Sequence, residues 1–265
     1  LTGEVLASEP LASAVYGAKM AISPDGRYLL AAMGSAKNNL RVFDTATLTQ
    51  VAQLSMPTTS TAQGIAWSKD GARIYGTYDK NVKQMLAVWE VGSWAPLNEI
   101  GVGSSVSAFV SERADGTVLM ASGGTVFVVD PITGENTSVT ASSSQAIQAL
   151  TDNGDGTAWV ALGSGSMVLV DLESMTIAKP FNTGVTFIAP TLTQDGSIVY
   201  GVKYWSGDRS DLVAFDLKAG QQIATVPLPA YASGGKLTIA PDGKTVLLTV
   251  GTSAKDVYVF SAEID

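Results

Sequence analysis

The sequence predicts an all-β fold: a six-bladed β-propeller of four-stranded antiparallel blades. Three observations carry that expectation. The dipeptide Asp-Gly recurs at Asp25-Gly26, Asp70-Gly71, Asp115-Gly116, Asp155-Gly156, Asp195-Gly196 and Asp242-Gly243, in steps of 45, 45, 40, 40 and 47 residues. Each pair precedes two short apolar runs rich in β-formers, such as 28–31 and then 40–43. The opening Leu1-Thr2-Gly3-Glu4 nearly repeats Ile132-Thr133-Gly134-Glu135, the turn into the fourth strand of the third repeat. Asp-Gly between two β runs is a hairpin signal, because Gly tolerates positive φ and Asp can bond its own backbone. Repeats of this length holding four strands each are those of a propeller.

Taken in order, blade one is expected at 19–23, 27–32, 40–44 and 50–54, and blade two at 64–68, 73–77, 85–91 and 97–100. Blade three follows at 106–111, 117–121, 125–130 and 137–140, and blade four at 146–151, 158–162, 167–171 and 176–179. Blade five spans 187–193, 197–202, 212–216 and 222–226. Blade six has only 236–240, 245–250 and 257–260 before the chain stops. Residues 3–7 are expected to be its missing outermost strand, which closes residues 1–265 into one domain and removes open sheet edges. Seven blades would need a repeat of about 38 residues, shorter than every observed step.

Composition narrows the chemistry. The chain has no cysteine and no histidine, which excludes thiol redox chemistry, thiolate metal sites, and the commonest general base and metal ligand. Catalytic residues, metal ligands and cofactors are therefore all expected to be none. The net charge is −8, from 16 basic and 24 acidic residues, with no basic run, so no nucleic-acid partner is expected. No apolar stretch approaches the ~18–20 residues of a membrane span, so no membrane insertion is expected. The chain begins at Leu1, which we read as processing or as excision from a longer polypeptide with further domains.

Ser23-Pro24-Asp25-Gly26-Arg27, an apolar strand, and then Leu40-Arg41-Val42-Phe43-Asp44-Thr45-Ala46-Thr47 resemble the YVTN-type β-propeller repeat. Ala240-Pro241-Asp242-Gly243-Lys244, Phe215-Asp216-Leu217 and Val129-Asp130-Pro131 extend the resemblance over the chain. It implies a propeller related to bacterial and archaeal surface proteins, lactonase-like enzymes and amine dehydrogenase subunits. Relatives commonly have seven blades. Their histidine-dependent catalysis has no counterpart position here.

Successive antiparallel strands place the Asp-Gly turns at one end of each blade and the second-to-third-strand links at the other. The Asp-Gly end is uniformly tight and expected to be structural. The links are expected to be long in blades one, two, five and six, at 33–39, 78–84, 203–211 and 251–256, forming one binding wall. The longest carries Tyr204, Trp205, Asp208 and Arg209, and blade-to-blade links add Tyr231 and Tyr16. Aromatic residues beside Arg and Asp are typical contact anchors, although Trp205 could equally pack on its own loop. Lys19 and Lys236 stand at equivalent positions three residues before Ile22 and Ile239; they converge on an anion, or each pairs with a neighbouring carboxylate or is solvated. Asp152-Asn153-Gly154-Asp155-Gly156 departs from the calcium-loop pattern at Gly154 and reads as a turn. Asn136-Thr137-Ser138 is a glycosylation sequon that matters only in a secretory host.

The function expected is a non-enzymatic binding module of a larger extracellular, surface-displayed or periplasmic protein, recognising a protein or glycan at the loop-rich face. The alternatives are a lactonase- or lyase-like enzyme without histidine, and a scaffold subunit of an oxidoreductase complex.

Overall fold

The computed structural model describes residues 19–32, 40–56, 62–104, 109–184, 186–204, 210–228, 236–240, 245–249 and 257–261. Among them there is no helix, and the strands form six antiparallel sheets. Sheet I is β1 (Lys19–Ile22), β2 (Tyr28–Ala32), β3 (Leu40–Asp44) and β4 (Gln50–Leu54). Sheet II is β5 (Gly64–Trp67), β6 (Arg73–Lys80), β7 (Lys83–Glu90) and β8 (Pro96–Gly103). Sheet III is β9 (Val110–Glu112), β10 (Val118–Ser122), β11 (Thr125–Val129) and β12 (Asn136–Thr140). Sheet IV is β13 (Ile147–Asp152), β14 (Thr157–Leu162), β15 (Ser166–Asp171) and β16 (Thr176–Asn182). Sheet V is β17 (Ile188–Leu192), β18 (Ile198–Tyr204), β19 (Ser210–Asp216) and β20 (Gln221–Pro227). Sheet VI has three described strands, β21 (Lys236–Ile239), β22 (Thr245–Thr249) and β23 (Val257–Ser261). In every sheet the strands are neighbours in sequence order, the meander expected of a propeller blade. The expected closing strand at 3–7 lies outside the described residues.

The chain divides into two compact units, Leu1–Ser138 and Val139–Asp265. In the first, the middle strands of sheet II are buried on both faces because sheet I packs on one side and sheet III on the other. Met85, Ala87 and Trp89 of β7 join Leu30, Leu40 and Val42 in one core. Leu86 and Val88, pointing the other way, join Val118, Met120 and Val129 in the next. β10 is buried along its whole length and reads as a continuous apolar run rather than an alternating one. The Trp67 indole also ties sheet II to sheet I, donating to the Ala21 carbonyl at 3.0 Å. In the second unit, Tyr200, Val202, Leu212 and Ala214 pack on Val246 and Leu248. The fourth strand of sheet V, β20, is exposed throughout.

Five Asp-Gly turns are described, and they share one hydrogen-bond set. The Asp carboxylate accepts the N–H two residues on: Arg27, Ala72, Thr117, Thr157 and Ser197, at 2.9–3.1 Å. The following Gly has φ between 64° and 88° in all five. In three turns a hydroxyl two residues upstream completes the lock. Ser23, Ser68 and Thr193 donate to the Asp at 2.6 Å and accept the N–H that opens the next strand. The Asp-Gly end is thus built from local chemistry written into each repeat.

One link departs from expectation. Residues 78–84 are not a loop: β6 runs to Lys80, β7 starts at Lys83, and only Asn81 and Val82 join them. Both have positive φ, 51° and 61°, as a two-residue hairpin turn of the primed type requires. The strands extend because Tyr78 and Met85 are buried in the apolar core and are worth more in the sheet than in a loop. The wall of long links therefore does not include blade two.

Candidate functional site

At the link end of sheet II, the extended hairpin carries a small polar cluster. The Tyr78 hydroxyl and the Lys80 ammonium both donate to Glu99 of β8. Burial pushes the Glu99 carboxyl up, but the Lys80 and Tyr78 hydrogen bonds outweigh it and hold the group below its usual range. Burial, reinforced by Glu99, pushes the Tyr78 phenol well up. The cluster is a clamp between strands β6 and β8. Beside it is a groove of about 540 Å³ lined by Ser55, Met56, Trp89, Leu97 and Glu99.

At the link end of sheet V, β18 ends at Tyr204, paired with Ser210 of β19. One step inward, Lys203 lies directly across from Asp211. Asp211 is 1% exposed and Ser210 is fully buried. The equivalent position in sheet II is Met85, in the apolar core, so sheet V replaces a buried thioether with a buried carboxylate. A buried carboxylate needs a partner, and Asp211 interacts with a neighbouring group. Sequence reasoning missed Asp211 because Ser-Asp at the start of an apolar run reads as ordinary loop punctuation.

The other expected site residues fall as follows. Trp205, Asp208 and Arg209 lie in the link 205–209, outside the described residues, as do Tyr16 and Tyr231. The backbone of Tyr204 closes β18, directly above the Lys203–Asp211 pair. Lys19 is half-buried on β1, and its ammonium donates to the Gln63 carbonyl, joining sheet I to the start of sheet II. Lys236 opens β21, opposite Thr249. Lys19 and Lys236 belong to different units.

The Asp152–Gly156 stretch is a turn. Gly154 N–H donates to Asp152 at 2.9 Å, and Asp155 accepts both the N–H and the hydroxyl of Thr157. Among the described residues no three acidic side chains gather where a metal ion could sit. Asn136 of the sequon is exposed on β12.

These features define an all-β protein of β-propeller type, with a stereotyped Asp-Gly end in the five sheets whose turn is described. No protein-family model matches the chain, and no curated protein sequence does. Solved structures do resemble it. A chain of Kuenenia stuttgartiensis hydrazine synthase superposes with a TM-score of 0.73 at 18% identity, over 94% of this chain and 77% of that one. A chain from the crystal structure of a mitotic checkpoint complex superposes with a TM-score of 0.73 at 14% identity, over 99% of this chain and 86% of that one. At such identities the likeness is one of fold alone.

Proposed function

We propose that the protein is a non-enzymatic binding module, a YVTN-type propeller of six blades whose last blade is completed by residues 3–7. It recognises a protein or glycan through the second-to-third-strand links and belongs to a larger extracellular, surface-displayed or periplasmic polypeptide. The observation that carries this reading is the asymmetry between the two ends of each sheet. Every described Asp-Gly turn repeats the same bond from the N–H two residues on to the Asp carboxylate. The links at the other end range from Asn81-Val82 and Gly123-Gly124 to the segments 33–39 and 205–209. Invariant turns hold a scaffold; variable links on a rigid scaffold carry recognition.

The test is binding of the labelled full chain to intact cells and to a glycan array. Trp205→Ala with Arg209→Ala should weaken saturable binding by about 30-fold, as for loss of an energetic anchor. Lys69→Ala, at the Asp-Gly end, should not. Loss of binding with Lys69→Ala alone would assign recognition to the wrong end. Turnover of lactones without binding would favour the enzyme alternative. Removal of residues 1–7 tests the closure: an unchanged melting temperature would sink it.

A further inference from the structure

A groove of about 380 Å³ opens between sheets IV and V, at their Asp-Gly ends. Its floor is apolar and aromatic: Trp159 and Leu169, cross-strand partners on β14 and β15, with Phe181 of β16. All three are half-buried. Phe181 is fixed by Phe215 of sheet V, with ring centroids 5.5 Å apart. The rim carries two carboxylates, one from each sheet, Asp155 and Asp195.

The donor and acceptor inventory of the rim is lopsided. The Thr157 hydroxyl is spent on Asp155 Oδ1 and the Ser197 hydroxyl on Asp195 Oδ1, at 2.6 and 2.7 Å. Those bonds, with the backbone N–H groups and the Thr193 hydroxyl, hold both carboxylates below their usual range and so ionised. The Oδ2 atom of each receives no hydrogen bond among the described residues. Asn153 commits its Nδ2 to Thr157 at 2.9 Å, which orients the amide and leaves Oδ1 shielded from solvent with no donor. The close approach of Gly196 holds it there, since a Cβ on Gly196 would sit 1.9 Å from that oxygen. The groove thus presents acceptors and aromatic surface. Its one cation, Lys218, forms an ion pair with neither carboxylate.

We propose that this groove binds an arginine side chain presented by a protein partner. A guanidinium is planar, stacks on aromatic faces, offers five donors and no acceptor, and carries the charge that two carboxylates against one ammonium leave uncompensated. A sugar hydroxyl is neutral and would leave that excess of carboxylate uncompensated. The site lies at the opposite end of the sheets from the links and stands independently of the recognition proposed there.

The experiment is a 15N–1H NMR titration of the full chain with acetyl-Gly-Arg-Gly-amide. The Trp159 indole and Gly196 amide signals should move together and saturate. The citrulline peptide, of the same shape without the charge, should bind at least about tenfold more weakly, as should the protein carrying Asp155→Asn and Asp195→Asn. Asn keeps the Oδ1 acceptor of each turn, and equal melting temperatures confirm the fold. Lys218→Glu, on an exposed rim residue, should tighten binding several-fold and serves if the double variant is unstable. Unmoved Trp159 signals, an equal response to citrulline, or affinity unchanged in both variants would overturn the proposal. So would equal affinity for acetyl-Gly-Lys-Gly-amide, or saturation by chitotriose in place of the arginine peptide.

Discussion

The Tyr75 hydroxyl of sheet II donates to Glu112 of sheet III at 2.6 Å. Glu112 also accepts the Lys69 backbone N–H at 2.6 Å, so one carboxylate bolts two sheets together beside an Asp-Gly turn. Tyr200 occupies the equivalent place on β18, above Gly201 as Tyr75 is above Gly76. The residue of sheet VI matching Glu112 is Ile239, and the Tyr200 hydroxyl is buried without a partner. Burial, then Glu112, pushes the Tyr75 phenol far up; for Tyr200 burial alone raises it.

Tyr75→Phe and Tyr200→Phe should therefore diverge. Removing the Tyr75 hydroxyl leaves a carboxylate oxygen without its donor and should cost about 1–3 kcal/mol. Removing the Tyr200 hydroxyl deletes an unsatisfied polar group and should be neutral or stabilising by up to about 1 kcal/mol. Urea denaturation of the two variants measures both, and equal losses would contradict the assignment.

Val82 is a β-branched residue held at φ 61° and 81% exposed, so it has a backbone cost and little packing to offset it. Val82→Gly converts the turn to Asn-Gly and should raise stability by about 1 kcal/mol. A lower melting temperature for the variant would mean that Val82 makes contacts the turn geometry does not reveal.

Gly201 is required by space rather than by backbone angle. A Cβ there would lie 2.4 Å from the Phe187 ring, and Phe187 is itself buried. Gly201→Ala should destabilise by about 1–3 kcal/mol through overpacking. The penalty should shrink in a Phe187→Leu background; a strictly additive double-mutant cycle would locate the strain elsewhere.

The pH profile follows from the turns. The Asp25, Asp70, Asp155 and Asp195 carboxyls are held below their usual range first by the hydroxyls of Ser23, Ser68, Thr157 and Thr193, and then by backbone N–H groups. A carboxyl depressed in the folded state contributes stability that is present above its unfolded value and lost as pH falls through its folded value. With the ordinary Asp value at 3.8, the melting temperature should begin to fall as pH drops through about 4 and keep falling below it. No histidine contributes between pH 5 and 8, so the profile there should be flat in that respect. A steep loss between pH 7 and 5 would point to other groups.

The sequence by itself determined the sheets and the turns, because both are specified over a few residues. Ser-Pro-Asp-Gly carries its own hydroxyl, carboxylate and αL glycine, and the apolar runs between such turns are long enough for one buried strand. Expected and observed strands of sheet I agree within a residue at each end. Tertiary structure alone decided the rest. The Asn81-Val82 turn lacks the glycine that announces a hairpin, and it forms because Tyr78 and Met85 are drawn into the core by neighbours distant in sequence. Asp211 became visible only as a carboxylate at a position that sheet II fills with Met85. The groove over Trp159 needs Asn153 and Asp155 from one sheet and Asp195 from the next, residues 40 apart that no local pattern relates. Turn chemistry acts between adjacent peptide units and so survives in the sequence. Burial and convergence of side chains depend on which sheets pack together, and that depends on the whole chain.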